Sequence, residues 1–164
     1  MKHSYQESVI ASIIQTPSLL AESDLLPDEF SETNSLIYQS ILDLESSSTP
    51  IDIISVCDNL LKSTGKNYLP MLGGMVKDGV LTNDHTVFKH YANSVRNEYC
   101  VLKSKFVAER LLSSVDQNGM ESVDEAIKEL MQLSAERKNH ECHISEAVKS
   151  AMEEADRAEN GKIG

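Results

Sequence analysis

From about Thr86 to Ser114 the chain runs without a proline or a glycine. Phe88, Ala92, Val95, Tyr99, Leu102 and Phe106 recur there at alternating spacings of four and three. That spacing holds apolar side chains on one side of a helix, in a heptad-like seam. A long helix with one apolar side constrains whatever surrounds it, because the seam has to be covered. Asp116-Gln117-Asn118-Gly119 reads as a loop, and Ser122-Val123-Asp124-Glu125 opens a further helix with Ala126, Ile127, Leu130 and Leu133 on one side. The two helices are predicted to fold back as an αα-hairpin. Two helices cannot cover the seam alone, so the hairpin must lie on the rest of the chain or on another copy. The candidate interface is Val95, Tyr99, Leu102 and Phe106, with Ile127 and Leu130 from the second helix.

Upstream the pattern is of shorter helices. Val9, Ile10, Ile13 and Ile14 share a face between Tyr5 and Gln15, which ends at Thr16-Pro17; a short segment follows from Ser18 to Leu26. Pro27-Asp28-Glu29-Phe30 reads as a turn with Phe30 tucked inward. Thr33 or Asn34 can cap a helix that points Leu36, Ile37, Ile41 and Leu44 inward and stops at Ser46-Ser47-Ser48. Proline restricts the residue before it, so Thr49 lies outside any helix, and Asp52 is the expected N-cap of the next one. That helix carries Ile53, Val56/Cys57 and Leu60/Leu61, with Gly65 suited to the left-handed position past its end. Tyr68 to Val76 reads as another helix, with Pro70 in its first turn and weakened by Gly73-Gly74.

No run alternates β-branched and polar residues as a strand would. The expected fold is all-α: a small helical head (residues 1–85), a long antiparallel hairpin (86–138), and a connector with a linker helix (139–164). In that last stretch Ile144, Val148, Ala151, Met152 and Ala155 form a narrow apolar stripe, suited either to docking on something outside this chain or to folding back on its own domain.

The formal charge is −11 and Lys and Arg form no run, which disfavours direct DNA contact or an anionic membrane surface. Cys57, Cys100 and Cys142 are odd in number and lack a CxxC, as in a reduced, cytoplasmic protein. Nothing approaches a membrane span. Gly65-Lys66 and Gly161-Lys162 both fail the P-loop pattern, having Leu60 and Asp156 in place of its first glycine. His140-Glu141-Cys142-His143 lacks the second ligand pair of a zinc site, and His3, His85 and His90 have no nucleophile beside them. No catalytic, cofactor or metal site emerges.

Five stretches in order carry a resemblance. They are Gln6-Glu7-Ser8-Val9-Ile10, Leu26-Pro27-Asp28-Glu29-Phe30, Leu36-Ile37-Tyr38-Gln39-Ser40-Ile41, Pro50-Ile51-Asp52-Ile53-Ile54 and Tyr91-Ala92-Asn93-Ser94-Val95-Arg96. Together they resemble the N-terminal domain of the DnaB family of replicative DNA helicases, in bacterial, phage or mobile-element form. Departures are Ala11 where the family has glycine, and a Gly-Gly that follows Tyr68-Leu69 instead of preceding it.

The resemblance implies a collar of paired hairpins, as a dimer or a trimer-of-dimers hexamer, that recruits primase and a helicase loader. It implies that the stripe from Ile144 to Ala155 docks on a neighbouring subunit's ATPase domain. It also implies that Gly161-Lys162-Ile163-Gly164 leads into such a domain, which would hold ATP and magnesium. A stand-alone binder that regulates or inhibits a replicative helicase is the alternative.

Overall fold

The computed structural model describes residues 4–136, all of whose regular structure is helical. The linker stripe from Ile144 to Ala155 and the His140–His143 group lie outside the described residues. The chain divides into two compact units between Tyr99 and Cys100.

The first unit is the head. Ser4 caps helix α1 (Tyr5–Gln15), its hydroxyl accepting from the Gln6 N–H at 3.1 Å. Val9, Ile10, Ala11 and Ile13 are wholly buried, and so is Ser12, which makes α1 the centre of the head instead of a one-faced helix. Its neighbours are α2 (Glu32–Ser46), α4 (Leu69–Asp78) and the 3₁₀ turn Pro17–Glu22. The residues 18–26 expected as one segment are this turn followed by extended chain. A second 3₁₀ turn, Pro27–Glu29, leads Phe30 into the core as expected.

Helix α2 starts earlier than either proposed cap, with Ser31 at the N-cap position. Ile37, Ile41 and Leu44 are buried, but Leu36 is half exposed. Tyr38 fills the core instead. Its ring stacks on Phe30 with centroids 4.4 Å apart, and its hydroxyl donates to the Leu25 carbonyl at 3.1 Å. Helix α3 (Ile53–Thr64) has the expected ends: Asp52 Oδ1 accepts from the Ser55 N–H at 2.8 Å, and Gly65 takes φ 74°. Helix α4 contains Gly73 and Gly74 in its interior, with Pro70 tolerated in the first turn.

Helix α5 (His85–Asn118) begins in the head and ends in the second unit. Asp84 caps it, accepting from the Thr86 and Val87 N–H groups at 2.8 and 3.0 Å. Phe88, Ala92 and Val95 complete the head's core, so the head reaches Tyr99 and not residue 85.

The second unit is a hairpin of α5 and α6 (residues 120–136). The expected loop over Asp116–Gly119 is absent: α5 runs on through Asn118 and the chain reverses at Gly119 alone, with φ 58°. A left-handed residue without a Cβ lets the reversal take a single position.

Candidate functional site

The hairpin closes on small side chains. Val107, Ser122 and Ala126 are buried between its helices, and the Ser122 hydroxyl donates to the Ser114 carbonyl at 3.4 Å. Arg110 reaches across to Glu129 with two parallel hydrogen bonds of 3.0 and 2.7 Å. This ion pair marks one side of the hairpin, and helical spacing then sorts the remaining side chains.

Residues two or nine apart on an α-helix lie about 160–180° from each other. Val101, Ala108 and Leu112 therefore face away from Arg110. Met120, Ile127 and Met131 face away from Glu129 in the same way. In an antiparallel pair these two sets fall on one common side, which Lys105, seven residues before Leu112, and Asp124, seven before Met131, also share. Leu112 is 76 %, Met120 69 % and Met131 67 % exposed, and Val101 and Ile127 are half exposed. Apolar side chains gathered at this exposure mark a contact surface.

The sequence-derived interface is accordingly redistributed. Val95 is fully buried in the head and has no surface to offer a partner, which corrects that assignment. Tyr99 is partly buried at the end of the head unit. Leu102 and Phe106 are half exposed, on the side of the Arg110–Glu129 pair. Ile127 lies on the opposite side, and Leu130 at its inner edge is 40 % exposed. The four exposed residues do not share one surface. Leu112, Met120 and Met131 were missed because they fall outside the 3–4 seam. They come together as one apolar surface only once the register of the two helices is known.

A model of the DnaB-like helicase N-terminal domain family matches residues 2–97, the head almost from end to end. The chain belongs to that family. Its structure is similar to the N-terminal domain of DnaB helicase from Mycobacterium tuberculosis, at 20% identity and a TM-score of 0.65 over 77% of this chain and 94% of that one. It is also similar to a DnaB-like replicative helicase whose structure was described with its interactions with primase, at 20% identity and a TM-score of 0.62 over 78% of this chain. The match covers 30% of that helicase, so the chain spans under a third of its length. Among curated proteins no relative matches. At this identity the structural likeness concerns the fold.

Two of the motifs that characterise this DnaB-like domain turn out to be internal clamps. Gln6 Oε1 accepts from the Ser31 N–H at 2.9 Å and from Asn34 Nδ2 at 3.0 Å, tying α1 to the start of α2. Arg96 donates to Glu29 Oε1 at 2.7 Å, and to the Asp24 carbonyl and carboxylate at 3.0 and 3.2 Å. Burial works against the Arg96 charge, but the hydrogen bonds and charges of Glu29 and the charge of Asp24 outweigh it and raise its pKa. Glu29 also accepts from the Leu26 N–H at 2.8 Å, so one carboxylate braces its own turn and anchors α5. Burial pushes the Cys57 thiol up, as for a packing residue with no reactive role.

Gly65 closes helix α3 as its left-handed C-cap, whereas a phosphate-binding loop would open a helix after a strand. Among the described residues no group of three or more His, Cys, Asp or Glu side chains is placed to hold a metal ion, and no helix is long and apolar enough to cross a membrane.

Proposed function

We propose that the chain is the collar of a hexameric replicative helicase, joining subunits through its hairpin and recruiting primase or a loader. The observation that carries this reading is the exposed apolar residues on one side of the hairpin, set beside the family membership of the head. Val101, Leu112, Met120, Ile127 and Met131 present apolar surface that two helices cannot cover by themselves. A second hairpin turned by a two-fold axis would cover it, because such a contact uses the same patch on both copies. Catalysis, with ATP and magnesium, belongs in this reading to an ATPase domain beyond the collar. The stripe from Ile144 to Ala155 would dock on a neighbour's copy of that domain.

Light scattering tests it. The protein is expected to be a dimer or larger, and Leu112→Glu combined with Ile127→Lys to reduce it to a monomer with unchanged helix content. A wild-type chain that stays monomeric at high concentration would sink the collar reading.

A further inference from the structure

The side of the hairpin that carries the Arg110–Glu129 pair has a different character. A cleft of about 220 Å³ opens there between α5 and α6. Val107, Leu111 and Ala126 give it apolar walls, and Ser114, Asn118 and Ser122 add polar ones. Arg110 is already committed to Glu129 at one end. Glu125, one turn before Glu129, also lines the cleft, and among the described residues its carboxylate makes no ion pair. Beyond Arg110 on the same side, Phe106 is 53 % and Leu102 52 % exposed.

The chemistry of the walls selects the occupant. A neutral apolar group would cover Glu125 and the hydroxyls without pairing them, at a desolvation cost. An anion would meet Glu125, Glu129 and, one turn further back, Glu121. A bare metal ion would find too few oxygens, since calcium takes six to eight. A long cationic side chain fits each wall, since its apolar stem can lie on Val107, Leu111 and Ala126 while its head reaches Glu125. Phe106 and Ser114 are about 12 Å apart along the helix axis, which is two helical turns.

We infer that this cleft receives a lysine or arginine from a partner protein, carried on a helix whose apolar residue two turns away packs on Phe106 and Leu102. This rests on the collar reading in one respect: a second copy takes the opposite side, around Leu112 and Ile127, leaving this side for a different protein.

The test is fluorescence anisotropy with alanine-rich peptides of about 15 residues, long enough to hold a helix. One carries Leu and Arg two turns apart, a second has Gln for the Arg, and a third has Glu. The first is expected to bind the 164-residue chain. Replacing Arg with Gln in the peptide, or Glu125→Gln in the protein, should each weaken binding about tenfold. The Glu peptide should bind a Glu125→Arg variant in preference to wild type, and Phe106→Ser should weaken the first peptide without changing the oligomer's mass. Equal binding of the Arg and Gln peptides, no binding of any peptide, or dissociation of the oligomer by Phe106→Ser would each overturn the inference. The collar reading fails separately, through the oligomeric state of wild type and of the Leu112/Ile127 variant.

Discussion

Head and hairpin are built from the same material, aliphatic side chains at helical spacing, and use it for opposite ends. In the head, the helices surround α1 and the core runs unbroken from Val9 to Val95. In the hairpin two helices lie side by side, bury Val107, Ser122 and Ala126, and leave Leu102, Phe106, Leu112 and Met131 more than half exposed. The difference is one of layers: an apolar helix face needs a second layer to bury it, and two helices supply only the seam between themselves. The same periodic signal therefore means stability in one region and recognition in the other.

The contrast is broken most directly by matched truncations. Phe88→Ala removes a fully buried ring from the head and should cost about 3–5 kcal/mol. Leu112→Ser, at a residue 76 % exposed, should stay within about 0.5 kcal/mol in dilute protein, where copies do not pair. Urea denaturation followed by circular dichroism measures both. Similar losses for the two would mean that the hairpin is packed like the head.

Next in size is the Arg96 clamp, in which the side chains of Arg96 and Glu29 are 12% and 10% exposed. Arg96→Met would leave Glu29 nearly buried without its counter-charge, a loss of about 3 kcal/mol. Arg96→Lys should recover little, because an ammonium cannot reproduce the guanidinium fork that holds Glu29 and Asp24 together. Full recovery by lysine would reduce the clamp to simple charge attraction. By comparison, removing the exposed Arg110–Glu129 pair of the hairpin should shift stability by less than about 1 kcal/mol.

How much of this was legible in the sequence follows from the range of the interactions. Asp52, Gly65 and the Pro27–Phe30 turn act on residues within three or four positions, and their chemistry is written locally. Gln6 and Arg96 act across 25 to 72 positions. A glutamine and an arginine on amphipathic helices look like any solvated pair until the fold brings their partners close. Leu36 and Tyr38 exchanged their expected places for a related reason. Both fit a helical face, and the Leu25 carbonyl and Ser23 hydroxyl beside Phe30 are what favour the tyrosine inside. The hairpin seam was read as one stripe because periodicity gives the face of a single helix. Which flank faces which is fixed by the reversal at Gly119 and the Arg110–Glu129 register.

A gain is expected where the sequence suggested weakness. Gly73 and Gly74 sit inside α4, and a Cβ on either would meet nothing within 4 Å. Replacing each with alanine should stabilise the head by about 0.5–1 kcal/mol through the lower entropy of the unfolded chain. Gly79 is the control, because a Cβ there would run into the Met75 carbonyl, and Gly79→Ala should destabilise. Loss of stability at Gly73 or Gly74 would mean that their flexibility is required inside the head.

The smallest effect concerns acid. Glu22 in the head accepts from Lys89 at 3.0 Å and faces His85 at 3.3 Å. The hydrogen bond from Lys89, followed by that from His85, holds its carboxyl below the ordinary value of 4.5. A carboxyl whose folded pKa is depressed adds stability that is fully present above its unfolded pKa. That stability is lost as the pH falls through the lower, folded value. Glu22→Gln should therefore lower the urea midpoint slightly at neutral pH, and the two proteins should converge as the pH drops below 4.5. Because the group is in contact with water, added salt should shrink the neutral-pH difference. A gap that persisted unchanged into acid would mean that Glu22 contributes by packing, and this ion pair would then drop out of the account of what holds α5 to the head.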